Sequence, residues 1–201
     1  FKVDVTDDQS VAEAVTNTVE KFGTIQIAVN AAGIPAPTKI LDRDGKPCQL
    51  DKFTKVVMVN LVGTFNVMSK CVAVMARNAP DDLGERGVVI NVSSGAAYEG
   101  QIGQAGYSAS KAGVIGMNMP AARELGAVGV RVNAIAPGLF LTQMVKSLGE
   151  EVVASLVDTV EAPRRAGDPM EFAHACQFIV ENGYLNGETI RLDAATRLRA
   201  R

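Results

Sequence analysis

The sequence predicts an α/β fold, a Rossmann-type doubly wound parallel sheet with helices on both faces, and two observations carry that reading. Short continuous apolar runs recur at Ile25–Val29, Val88–Val92 and Val130–Ile135, without the polar alternation of a sheet that faces water. Such runs read as strands buried on both faces. Between them lie longer stretches of helical periodicity, and strands that alternate with helices build a parallel sheet.

The elements follow in order. Phe1 to Val3 reads as the end of a strand. Thr6-Asp7-Asp8-Gln9 has the form of a capping box, with Thr6 as N-cap. Val11, Val15, Val19 and Phe22 then repeat at helical spacing until Gly23 stops the run. Ile25 to Val29 is the first full strand. Ile34 to Leu50 holds three prolines and the turn Asp42-Arg43-Asp44-Gly45, the pattern of a small hairpin. A long helix is expected from about Asp51 to Arg77, a polar loop from Asn78 to Arg86, and a strand at Val88–Val92. A helix over about Ala105–Leu125 precedes the strand Val130–Ile135. Asp168-Pro169 opens a helix with Asp as N-cap and Pro in the first turn. Thr189 to Leu192 is the last strand. No second domain, internal repeat or low-complexity linker interrupts this order, so residues 1–201 read as one domain.

Composition narrows the function. The 201 residues are 47% hydrophobic and 21% charged, the balance of a globular chain with a sizeable core. A formal net charge of -2 gives no reason to expect nucleic acid or an anionic membrane as partner. The basic ending Arg197-Leu198-Arg199-Ala200-Arg201 reads as a solvated tail. Cys48, Cys71 and Cys176 lie far apart, with neither metal-ligand nor disulfide spacing, so no metal site is expected. The one histidine, His174, has no GxSxG elbow beside it, and a structural role is expected. No apolar run is read as a membrane span.

Four segments are expected beyond the carboxyl ends of strands, where open α/β sheets bind ligands. They are Asp4-Val5, Asn30-Ala31-Ala32-Gly33, Asn91-Val92-Ser93-Ser94-Gly95 and Pro137-Gly138-Leu139-Phe140-Leu141-Thr142. Small residues there let the backbone approach a flat cofactor. A sharper signal is Tyr107-Ser108-Ala109-Ser110-Lys111, which puts Tyr107 and Lys111 on one helical face. A free phenol has a pKa of about 10, and a nearby ammonium favours the phenolate. A tyrosine tuned in this way exchanges a proton with an alcohol or ketone. Ser94 is positioned to hold the same oxygen. Alone, Tyr-x-x-x-Lys is equally the pattern of a solvated helix face. The strand-end serines before it and the Pro-Gly loop after it favour chemistry.

In this order and spacing, Asn30-Ala31-Ala32-Gly33, Asn91-Val92-Ser93-Ser94, Tyr107-x-x-x-Lys111 and Pro137-Gly138 resemble the short-chain dehydrogenase/reductase family. The resemblance extends over the whole chain. Within the family it points to the type-2 3-hydroxyacyl-CoA dehydrogenase subgroup. The marks are Val59 to Val67, Glu99 to Gln104, Ala136 to Phe140, Leu185 to Asp193 and the insertion around Leu41 to Leu50.

The resemblance implies an NAD-dependent oxidoreductase, with NADP less favoured, acting on a 3-hydroxyacyl-CoA. It leaves open a hydroxysteroid, an acyl carrier protein thioester reduced with NADPH, and a non-catalytic subunit. It implies Tyr107 as general acid/base, Lys111 lowering its pKa and binding the nicotinamide ribose, and Ser94 orienting the substrate oxygen. Asn60 would hold a water that links Lys111 to solvent. Asp4 and Val5 would contact the adenine, and Asn30, Ala31, Ala32 and Gly33 would line the dinucleotide path. Pro137, Gly138, Phe140 and Thr142 would close over the nicotinamide. Gln101 and Gly103 would border the substrate. A homotetramer is implied, and small residues such as Ala109, Ala112, Gly113 and Gly116 permit close helix packing. The compartment implied is the cytoplasm for a bacterial protein and the mitochondrial matrix for a eukaryotic one.

The family's opening glycine-rich turn (TGxxxGxG) does not occur in this sequence. The chain therefore reads as an N-terminally incomplete copy with its first βαβ unit largely missing, and alone it is expected to be unstable or inactive. Asp193-Ala194-Ala195 stands where a glycine-rich turn is usual.

Overall fold

The computed structural model describes residues 1–35, 37, 39–146 and 149–200. Four parallel strands form one sheet in the order β1 (Ile27–Asn30), β2 (Gly87–Val92), β3 (Val130–Pro137), β4 (Thr189–Leu192). The expected α/β class holds, with helices on both faces. One face is covered by α1 (Asp8–Phe22), α3 (Gly63–Met75) and α4 (Ala105–Leu125). Met68, Cys71, Val72 and Met75 of α3 and Ala121 and Ala122 of α4 pack there on Ala28, Val89, Val130 and Val132. α7 (Pro169–Glu181) covers the other face, setting Ile179 on Val88, Ile90 and Ile135. Strands are added in one direction while the connecting helix changes face. The β3–β4 crossover therefore has the opposite hand to the two before it.

Several local expectations shift. α1 is capped by Asp7, whose carboxylate accepts from the Ser10 N–H, because the Thr6 hydroxyl is already donated to Asp4. Phe1 to Val3 is not a strand, since no ladder partner lies beside it among the described residues. β1 is buried on one face only: Ile27 and Val29 are 49% and 44% exposed, because α7 reaches β2 to β4 but not β1. The hairpin of residues 34–50 reduces to one bridge, Leu41 to Pro47, around a turn closed by Asp42. Residues 36 and 38 lie outside the described set.

The long helix expected from Asp51 is α2 (Leu50–Val57) and α3 joined by a π-helical turn, Met58–Val62, that carries Asn60. Taken together, Leu50–Met75 is long and apolar enough to cross a membrane, contrary to the expectation from the sequence. Its inward residues belong to the sheet core described above. Arg131 on β3 anchors α7 by donating to the carbonyls of Ile179 and Val180 at its C-terminal end and to Glu85. This is the end of a helix that favours a cation. α5 (Gln143–Lys146) and α6 (Glu150–Val157) follow β3 and had no counterpart in the sequence reading.

Candidate active site

The site begins with a clasp between β2 and α4. Buried Ser93, at the end of β2, donates its hydroxyl to the Lys111 carbonyl at 2.8 Å. Lys111 is also buried, and its ammonium donates to the Val92 carbonyl at 2.8 Å. Ser94 caps the next turn, Gly95–Ala97, by accepting from the Ala96 N–H. Two strand-end serines and one helical lysine thus fix the spacing between strand and helix, and Tyr107 stands one turn before Lys111.

Burial decides the charges here. It holds the Lys111 ammonium down to about 8. It raises the Tyr107 phenol above its usual value, with hydrogen bonding to Ser94 pulling the other way. The lowering of Tyr107 expected from the sequence is outweighed here by burial. The ammonium is aimed at the Val92 carbonyl, 5.9 Å from the tyrosine ring centre, and desolvation prevails. The phenol is protonated at neutral pH, which is the form that donates.

A cleft of about 490 Å³ opens against this pair. Ser94, Gln101 and Tyr107 line it with Pro137 and Gly138, and Leu139, Leu156 and Leu198 give it apolar walls. A second hollow of about 350 Å³ runs along β1 between Ile25 and Ala32, walled by Val11 and Val15 of α1, and Val5, Asn30, Ala31 and Ala32 lie along it. Gly33 connects the two regions. A Cβ there would stand 3.3 Å from Asn60 Oδ1 and 3.4 Å from Lys111 Nζ.

Residues 1–194 match the family model described as Enoyl-(Acyl carrier protein) reductase. The chain is 49% identical over 197 residues to the Homo sapiens protein named 3-hydroxyacyl-CoA dehydrogenase type-2, which covers 98% of this chain and 76% of that protein. The Drosophila melanogaster protein of the same name is 45% identical over 197 residues, covering 98% and 77%. The crystal structure of 3-hydroxyacyl-CoA dehydrogenase type-2 from Mycobacterium avium superposes with a TM-score of 0.93 at 41% identity, covering 100% of this chain and 77% of that one.

The chain belongs to the short-chain dehydrogenase/reductase family. Its class of chemistry is that of a dehydrogenase that uses a nicotinamide cofactor. The residues present suit such a group. Bare backbone at Ala31 to Gly33 leads from the hollow beside β1 to Lys111, and Gly33 leaves the space that a side chain would fill.

The structure does not bring every expected residue of this short-chain dehydrogenase to the cleft. Asn60 is fully buried, and its amide is committed: Oδ1 accepts from the Ile34 N–H at 2.8 Å, and Nδ2 donates to the Ile34 carbonyl and Ser110 Oγ. Asp4 is exposed, and its carboxylate accepts from the Thr6 N–H and hydroxyl, which hold it below the usual carboxylate range. Gly103, at φ 88, forms the turn before α4 and does not line the cleft. Phe140 turns away, packing edge-on against Phe172 and close over Gly167, where a Cβ would come within 2.6 Å of its ring. Thr142 is exposed and accepts from the Val145 N–H.

Sequence reasoning missed part of the cleft. Glu99, Gln104, Leu139, Leu156, Thr159, Asp193, Thr196 and Leu198 also line it. One signal was available: Arg191 is a charge inside an apolar strand, and such a charge demands a partner. Its partners are Glu99 and Asp193.

Proposed function

We propose that this protein interconverts a 3-hydroxyacyl-CoA and the corresponding 3-oxoacyl-CoA with NAD(H). The observation that carries the reading is Ser94 and Tyr107 on the wall of an otherwise largely apolar cleft, with Lys111 buried one turn along α4. Relatives at 45–49% identity named for that substrate support it, and NAD in preference to NADP rests on the same likeness.

In the direction of reduction, the protonated Tyr107 gives its proton to the carbonyl oxygen as the carbon gains hydride. Ser94 holds the same oxygen by a hydrogen bond. Negative charge that develops on Tyr107 is met by the Lys111 ammonium across the ring. Oxidation is the reverse, with the phenolate taking the hydroxyl proton. The nicotinamide, when bound, supplies or accepts the hydride. Ala31 to Gly33, Val5, Lys111, Pro137 and Gly138 would hold that cofactor.

Acetoacetyl-CoA offered to the full-length protein with NADH and with NADPH tests the reading. Turnover with NADH is expected, and no turnover with either refutes it. A hydroxysteroid and an acyl carrier protein thioester in the same assay separate the runner-up substrates. We also propose self-association into a homotetramer. Met58, Val62 and Phe65 are exposed at helical spacing, and Ala109, Ala112, Gly116 and Met119 are exposed on α4. Gly113 serves inside the chain instead, because a Cβ there would meet Leu61 at 2.7 Å. Light scattering on the eluted protein is expected to give four copies.

A further inference from the structure

The basic C-terminal segment, read from sequence as a solvated tail, returns along the cleft. After β4 it turns through Ala194 and Ala195, both in the left-handed region at φ 48 and 58. Thr196 and Leu198 then become part of the cleft wall. The Ile102 N–H donates to the Ala200 carbonyl at 3.0 Å.

One cluster of charges holds this return. Arg191 donates to both Glu99 oxygens at 3.0 and 3.2 Å and through Nε to Asp193 at 2.8 Å. Arg197 reaches the same two carboxylates at 3.4 Å. Both guanidinium groups also donate to the Thr196 carbonyl. Arg191 is stacked over the Tyr98 ring, 4.7 Å from its centre. Glu99 is the hub. It belongs to the connection between β2 and α4 that carries Ser94 at one end and leads to Tyr107 at the other. A single carboxylate therefore ties the proton-transfer segment to the tail, and a two-pronged arginine contact fixes both distance and orientation.

We propose that Glu99 and Arg191 are positioning residues that hold the C-terminal segment as the chain-length wall of the cleft, with Leu198 meeting the apolar chain of the substrate beyond the reacting carbon. This rests on the substrate reading given above. The two side chains are about a quarter to a third exposed, so the tie is weakened by salt.

The test compares Glu99→Gln, Arg191→Lys and Leu198→Ala with the wild type on acetoacetyl-CoA and an eight-carbon 3-oxoacyl-CoA. Glu99→Gln is expected to raise KM for the longer thioester about tenfold, with kcat and the KM for acetoacetyl-CoA changed less than about twofold. Arg191→Lys, which keeps the charge but loses the fork, falls between. Leu198→Ala reproduces the chain-length effect with the ion pairs intact. It decides the matter if Glu99→Gln does not fold. Unchanged kinetics, or equal losses of kcat on both substrates, overturn the proposal.

Amide exchange gives a readout independent of turnover. Glu99→Gln is expected to speed exchange at Ile102, whose N–H is held by the tail at Ala200, about tenfold while the α4 amides stay protected. Should the wild type turn over neither thioester, the substrate reading fails. The positioning role then stands or falls on this exchange result alone.

Discussion

β1 and β2 are neighbours, paired in parallel from Ile27–Val88 to Asn30–Asn91, and in sequence they read almost alike. β2 is buried on both sides, with Val89 and Ile90 wholly enclosed. β1 leaves Ile27 and Val29 half in solvent. The difference lies in what crosses each strand. α3 and α4 lie on one side of β2 and α7 on the other, whereas β1 has helices on one side only. Chemistry follows the same division. At the end of β2, buried Ser93 and Lys111 lock strand to helix, and Ser94 and Tyr107, the pair proposed to handle the proton, stand beside that clasp. At the end of β1, Asn30 is held by Asn91, but Ala31 and Ala32 are exposed backbone for a cofactor to lie against.

The largest effect expected from this division is at Tyr107. Tyr107→Phe removes only the phenolic oxygen, so the fold stays intact and kcat falls by about 10³-fold or more. Steady-state rates and a melting curve on the same preparation check both halves. A variant that keeps a tenth of its activity would move the proton donor elsewhere.

Lys111→Met comes next, and it separates activity from stability. A pKa held at about 8 instead of 10.5 amounts to roughly 3 kcal/mol of desolvation cost at neutral pH. The variant loses that cost together with one charged hydrogen bond to Val92, itself worth about 1.5–3 kcal/mol. Stability is expected to stay within about 1 kcal/mol of wild type while kcat drops about 100-fold. The pH dependence has a definite sign. Between pH 8 and 10.5 the unfolded lysine binds a proton that the folded one has released, so wild-type stability rises with pH across that window. Urea denaturation across the window should show the rise in the wild type and lose it in the variant. Tyr107, raised by burial, opposes this only above its usual value of 10.

Asn60→Ala sharpens the comparison because Asn60 joins its two sides. Its amide holds Ile34, just past the β1 turn, and Ser110 on α4. Truncation leaves the part-buried backbone N–H and carbonyl of Ile34 without their Asn60 partner, at roughly 1–3 kcal/mol. A lower urea midpoint with weakened cofactor binding is expected. Unchanged stability would mean that Ile34 finds other partners.

These cases also locate what could be read from the sequence. α4 spans Ala105–Leu125 as expected, although no side chain caps its start, and Ser94 and Tyr107 line one cleft. Asp168 as N-cap and Pro169 in the first turn of α7 were legible because both signals are local, whereas the box that Glu171 completes was not read. Phe140 was misplaced because its direction depends on Gly167 and Phe172, far along the chain. The charge of Arg191 within β4 announced a partner, but that the partner is Glu99 was not legible, because the two lie ninety-two residues apart. The one-sided burial of β1 was missed for a related reason: periodicity reports how apolar a strand is, not how many faces are covered.

That last point yields the smallest and most direct test. Val89 and Val29 are the same residue on adjacent strands, one position out of register, so Val89 faces α3 and α4 while Val29 faces the side that α7 leaves open. Val89 is wholly buried and packs with Met68, Met75 and Val132 in the core cluster, so Val89→Ala leaves a void and is expected to cost about 2–3 kcal/mol. Val29 is 44% exposed, so Val29→Ala removes methyl groups that water already reaches. It is expected to cost less than about 0.5 kcal/mol. Paired urea titrations of the two variants measure the difference directly. Equal losses would mean that the outer face of β1 is covered in solution, by further chain or by another copy.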